Sequence, residues 1–105
     1  MAGEERQNPF VRKIILVAKT DGTIVRAPMR PISEMAFERQ FHTSLQRGLD
    51  ASTDEAASHM YWLAYDCERR LGGTIPAFDQ WAETVDAIDV QTETIPFSEG
   101  PPGIA

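Results

Sequence analysis

Two histidines, one cysteine and a series of carboxylates are the groups in this 105-residue chain whose types and spacing could do chemistry. His42 and His59 are each a candidate base or metal ligand. A metal site takes three or four ligands, and the chain has neither a His-x-x-x-His nor a Cys-x-x-Cys spacing. Glu55 lies four residues before His59 and Asp66 seven after it. On a helix the three could share a face, and a surface pair at i,i+4 accounts for that spacing without any site. Cys67 beside a histidine would be a nucleophile and its base. Cys67 falls on an apolar helix face, however, where a thiol is inert core. Asp79, Glu83, Asp86 and Asp89 recur along one stretch without the Asp-x-Asp-x-Asp-Gly order of a calcium loop. No catalytic residue, metal ligand or cofactor is expected. The residues describe a non-enzymatic α+β interaction module.

Composition sets the frame for that module. Hydrophobic residues make up 42% and charged residues 25%, ordinary values for a water-soluble globular domain. A chain of this length is one small domain. A single cysteine excludes an internal disulfide and fits a reducing cytoplasmic setting. The first residues carry no apolar run of the secretory kind, and no stretch approaches the roughly 18 apolar residues of a membrane span. The net charge of −6 is unevenly spread. Residues 1–47 carry eight Lys and Arg against five acids, and residues 48–105 carry two against eleven. Solvated faces explain this, as do complementary ends that meet a partner or a second copy. Nucleic acid is not an expected partner, since phosphate binding needs a concentrated basic surface.

The elements follow from pattern. Residues 1–9 read as a flexible arm, and residues 10–90 as a single α+β domain. Phe10 to Ala18 is rich in Ile and Val and suits a strand. Asp21-Gly22 then predicts a type I′ hairpin turn, with both central residues at positive φ. The hairpin spans 10–27 and is stopped by Pro28 and Pro31. Its exposed edge is a candidate for self-assembly unless the tail or its own charges cover it. Ser33 is the expected N-cap of a helix over about 34–47, with Phe37 and Phe41 as core and Gly48 as its C′ residue. Ser52 and Glu55 form a capping-box pattern for a second helix over about 53–71. Met60, Leu63, Ala64, Cys67 and Leu71 recur on one face of it, while Tyr61, Trp62 and Tyr65 widen the apolar stripe beyond that face. Gly72-Gly73 ends this central helix. Pro76 opens a third, over about 77–87, with Phe78, Trp81, Ala82 and Val85 at i, i+3, i+4 and i+7. Met60, Leu63, Phe78 and Val85 complete the expected core. Ile88 and Val90 extend this pattern or lead into an extended end, and residues 91–105, rich in Thr, Pro and Gly, read as a flexible tail. The expected fold is therefore an N-terminal β-hairpin followed by a three-helix bundle.

Short aromatic motifs carry a resemblance over about residues 32–90. Phe37-Glu38-Arg39-Gln40-Phe41 precedes a helix with Trp62-Leu63-Ala64-Tyr65, and Phe78-Asp79-Gln80-Trp81 with Val85 and Ile88 follows. This order resembles the small tail assembly chaperones of long-tailed (siphovirus-type) bacteriophages, especially those of actinobacterial hosts. The resemblance implies a protein of the host cytoplasm that acts during virion assembly and is absent from the finished particle. It implies binding to the tape measure protein, contact with tail tube subunits, and a longer form of the chain made by programmed frameshifting. A structural virion protein, such as a head–tail connector or tail-completion subunit, is the alternative reading. A chaperone for an amphipathic helical client needs an apolar groove with a polar rim. Tyr61, Trp62, Tyr65 and Trp81 are the candidate partner-binding residues, because aromatics bury large areas with few rotamers to freeze. Trp62 is the best candidate for exposure, being offset about 100° from Leu63 around the helix.

Overall fold

Val11–Lys19 (β1) forms the middle of a three-stranded antiparallel sheet of order β2-β1-β3, flanked by Ile24–Pro28 (β2) and Val85–Thr94 (β3). The computed structural model describes residues 10–52 and 54–95. Among these are four helices: Pro31–Phe41 (α1), Leu45–Gly48 (α2), Ala56–Arg69 (α3) and Phe78–Glu83 (α4). They lie on one face of the sheet. Ile15, Val17 and Ala27 from the strands meet Phe37, Leu63, Ala64, Cys67 and Trp81 from the helices in one core. The α+β reading holds in this coarse form, but the helical layer is four helices on a sheet where three in a bundle were expected.

The β1–β2 turn is tighter in its use of positive φ than a type I′ turn. Gly22 N donates to the Lys19 carbonyl at 3.0 Å, and Lys19 N to Thr23 O at 2.8 Å. Only Gly22, at φ 94°, is left-handed. This is a three-residue loop with a glycine bulge, the next most common hairpin connection. Asp21 serves it through its side chain, which accepts from Thr23 N at 2.9 Å and from the Thr23 hydroxyl at 2.7 Å. Those two bonds hold its carboxyl below the usual range. Pro28 does not stop β2 but belongs to it, opposite Ile14.

The first helix begins three residues earlier than Ser33 implied. Arg30 is its N-cap and Pro31 its first residue, where a fixed φ and a missing N–H cost nothing. Ser33 instead lies inside α1, 1% exposed. The expected helix over 34–47 is interrupted, because His42 adopts a left-handed conformation (φ 55°, ψ 38°) and closes α1. Ser44 Oγ then caps α2 by accepting from Arg47 N at 3.2 Å. Gly48 is buried at the end of α2, and a Cβ built there would lie 2.6 Å from Phe37 Cζ. Its glycine is thus required by packing. Gly48→Ala should destabilise the fold by about 1–3 kcal/mol through overpacking, read as a lower urea midpoint.

The Ser52–Glu55 capping box does not form. Asp50 Oδ1 takes both the Ser52 amide (2.9 Å) and its hydroxyl (2.8 Å), closing a turn before the helix. Glu55 is the N-cap of α3, without a side-chain bond. At the other end Gly72 and Gly73 both have positive φ, as a glycine helix stop requires.

The largest departure is at the C-terminal end. The predicted helix over 77–87 stops after Glu83, where the Thr84 hydroxyl returns to Trp81 O at 2.7 Å. Thr84 O accepts from Thr20 N at 2.9 Å, which ties this point to the hairpin turn. From Val85 the chain is β3, paired with β1 along its whole length. Residues 91–94, expected in a flexible tail, are strand, and Ile95 N donates to Phe10 O at 2.9 Å. The rest of that tail, like the expected arm over 1–9, lies outside the described residues. A bulge accompanies the start of β3: Ala18 faces Ala87 and Lys19 faces Val85, leaving Asp86 extra. The bulge turns Val85 to the helical face, where Ile88 and Val90 also point. Arg12 binds Glu93 at 2.9 Å on the opposite face, and Arg26 binds it too. These contacts hold the Glu93 carboxyl below its usual range, Arg12 most strongly. Arg26 lies beside Leu16 and Glu93 beside Arg12, so this pair crosses over Ile14. That explains why Ile14 is 1% exposed on the face turned away from the helices.

Candidate functional site

Three of the four aromatics expected to meet a partner pack inward. Trp81 is fully buried. Its indole Nε1 donates to Glu68 Oε1 at 2.9 Å, and Glu68 Oε2 binds Lys19 Nζ at 3.0 Å. The same ammonium lies 5.5 Å from the indole centre, a cation–π contact. Phe78 stacks on Trp81, and Tyr65 stands edge-on to both, 5.4 and 5.5 Å away. Trp62 is half-buried and edge-on to Phe41 (5.4 Å) and Phe37 (6.4 Å). Tyr61, not Trp62, is the exposed member, at 41%. Of the expected core, Phe37 and Leu63 are fully buried, while Phe41, Met60, Phe78 and Val85 are half-buried against it.

The titratable groups singled out for chemistry stand apart. His59 Nδ1 meets Gly48 O at 2.6 Å, so its proton sits on Nδ1, and its ring lies against Phe37 and Phe41. It ties α3 to α2. Asp66, seven residues further along α3, is fully buried and binds both Arg69 and Arg70, the latter at 2.7 Å, instead of His59. Cys67 is buried, and burial pushes its thiol up to about 11. A thiol so raised is not a nucleophile at neutral pH. Among the described residues no group of three or more His, Cys, Asp and Glu is placed to hold a metal ion. No described helix is long and apolar enough to cross a membrane.

The surface feature suited to recognition is a trough at the end of the sheet where β1 begins. Phe10, Val11, Met29, Pro31 and Ile95 line its outer part. Leu45, Leu49, Met60 and Val90 line its inner part, beneath α2, with the fully buried Leu63 behind them. Lys13, Met29 and Glu34 belong to both parts, so the two adjoin. Phe10 and Val11 are 67% and 60% exposed, large values for apolar side chains. Lys13 and Arg30 supply positive charge on the rim and Glu34 negative charge. Met60 and Leu63 were expected here only as core. The other lining residues had no distinguishing signal, because a Val or Met at strand or helix spacing is core by default. Only their position at an end of the sheet left uncovered by the described residues sets them apart. Searches of protein-family models, of curated proteins and of solved structures each return no match.

Proposed function

We propose that this chain is a tail assembly chaperone of a long-tailed bacteriophage. It binds an amphipathic helix of the tape measure protein and promotes tail tube assembly around it in the host cytoplasm. The observation that carries the reading is the apolar trough from Phe10 and Val11 to Met60 and Val90, with charged side chains at its rim. An amphipathic helix presents apolar side chains at i, i+3, i+4 and i+7, and a groove of this composition receives such a stripe. Met29 and Met60 add unbranched, adaptable side chains, suited to a client whose contacts vary along a long repeat. The resemblance over residues 32–90 supports the same reading from the motif side. The trough takes over the role first given to the helical aromatics.

The test is co-expression with a tape measure protein from the same genome. The wild-type chain should keep that client soluble and be captured with it. Phe10→Ser together with Val11→Ser should lose at least about tenfold in affinity, the direct result of removing two exposed apolar contacts. Both sites are exposed, so the thermal midpoint should stay close to wild type. Equal capture by the folded double variant would exclude the trough as the client site. Recovery of the chain in purified virions at the level of a structural subunit would favour the connector or completion-protein reading.

A further inference from the structure

The two edges of the sheet differ, and the difference points to a second copy of this chain. Ile95 N donates to Phe10 O, so the bonds between β1 and β3 run through Phe10/Ile95 and every second pair after it. Glu93, Gln91 and Asp89 therefore turn their backbone groups inward to β1. Ile88, Val90, Thr92 and Thr94 turn theirs outward, and no partner for them is found among the described residues. On β2 the same alternation, fixed by Met29 N to Lys13 O at 2.9 Å, turns Ile24, Arg26 and Pro28 outward. Pro28 has no N–H, so the β2 edge is short and blocked. The β3 edge is long and open, which a small protein ordinarily avoids by a charge, a proline or a cover. The four outward residues carry neither charge nor proline, and the bulge at Asp86 distorts only one end.

We infer that two copies pair antiparallel through β3, about a two-fold axis at Val90, to make one continuous six-stranded sheet. In that register Val90 faces Val90 of the second copy, and Ile88 and Thr92 face each other twice. These three pairs supply about six backbone hydrogen bonds. Val90 is 40% exposed in the single chain and gains an apolar neighbour. On the other face Asp89 comes opposite Gln91 of the second copy, whose amide can donate to the carboxylate, and the same contact repeats across the axis. Glu93 comes opposite Ala87, with its charge already met by Arg12 and Arg26. No like charges face each other directly, so the edge is complementary to itself, as a two-fold contact must be. Val90 and Thr92 also line the trough, so the seam borders the proposed client site, but the pairing rests on the β3 edge alone and stands without that function.

Light scattering of the full chain after size exclusion should give twice the 11.7 kDa chain mass, falling to one chain on dilution. Thr92→Pro removes an outward N–H and leaves the β1 ladder intact, so it should give a folded monomer. Gln91→Asp sets carboxylates against Asp89 on an exposed face and should weaken the dimer about tenfold without unfolding the chain. In the wild-type chain the Ile88, Val90 and Thr92 amides should be protected from hydrogen exchange as strongly as those of Asp89 and Gln91. A single-chain mass at the highest attainable concentration would overturn the pairing. So would a dimer in which the Ile88, Val90 and Thr92 amides exchange freely, since it would use another surface.

Discussion

A chain ended at Asp86 should not fold. Its circular dichroism should lose the strand signal, and its urea titration should show no cooperative transition. The reason lies in β3, which pairs with β1 along the length of both. Without it, Val17 and Ile15 lose their cross-strand neighbours Ile88 and Val90, and one side of the central strand is stripped of its hydrogen bonds. A buried Val or Ile side chain contributes about 1.5–3 kcal/mol, and a small domain has only about 5–15 kcal/mol in total. Exposing several such side chains at once removes most of that margin. If residues 87–95 were an unstructured tail, the shortened chain would melt like the full one. Unchanged melting would therefore refute the three-stranded sheet itself.

Trp81→Ala should lower stability by about 3–5 kcal/mol, the usual range for deleting a large aromatic from a core. Trp81 is fully buried, and Phe78 and Tyr65 both rest on it. Its loss opens a cavity between α3, α4 and the sheet. Trp81→Phe separates the two parts of its role. That variant keeps much of the ring volume but leaves Glu68 Oε1 without its indole donor. An unsatisfied buried acceptor costs about 1–3 kcal/mol, so the Phe variant should fall between wild type and Ala. Urea midpoints at constant slope give all three values. If Trp81→Ala melted normally and lost only client binding, Trp81 would be a contact residue and the core described above would be wrong.

Several features were legible because they are local. The Ile- and Val-rich run of β1, the turn at Asp21-Gly22, the helical face of Met60, Leu63 and Cys67, and the stop at Gly72-Gly73 depend on neighbours within a few residues. The buried state of Phe37 and Leu63 follows from the same periodicity. Where local rules competed, the reading slipped by a turn. Pro31 displaced Ser33 as the start of α1, and Asp50 drew the Ser52 hydroxyl away from Glu55. Near Asp86 only the alternative of an extended end at Ile88 and Val90 points to β3, whose alternation of Ile88, Val90, Thr92 and Thr94 is weakly apolar. Its partner strand is far away, with Arg12 meeting Glu93 across 81 positions.

By itself, then, the sequence determined the α+β class of the fold, its first hairpin, its central helix and the burial of Phe37 and Leu63. Hydrophobic period and turn chemistry act over one or two turns of chain and need no distant partner. Only the tertiary structure decided which apolar residues stay at the surface. A helical stripe records that a side chain needs cover, not which layer covers it. The sheet and α3 enclose Trp81, Phe37 and Phe41 shelter Trp62, and nothing encloses Phe10, Val11 and the outer edge of β3 among the described residues.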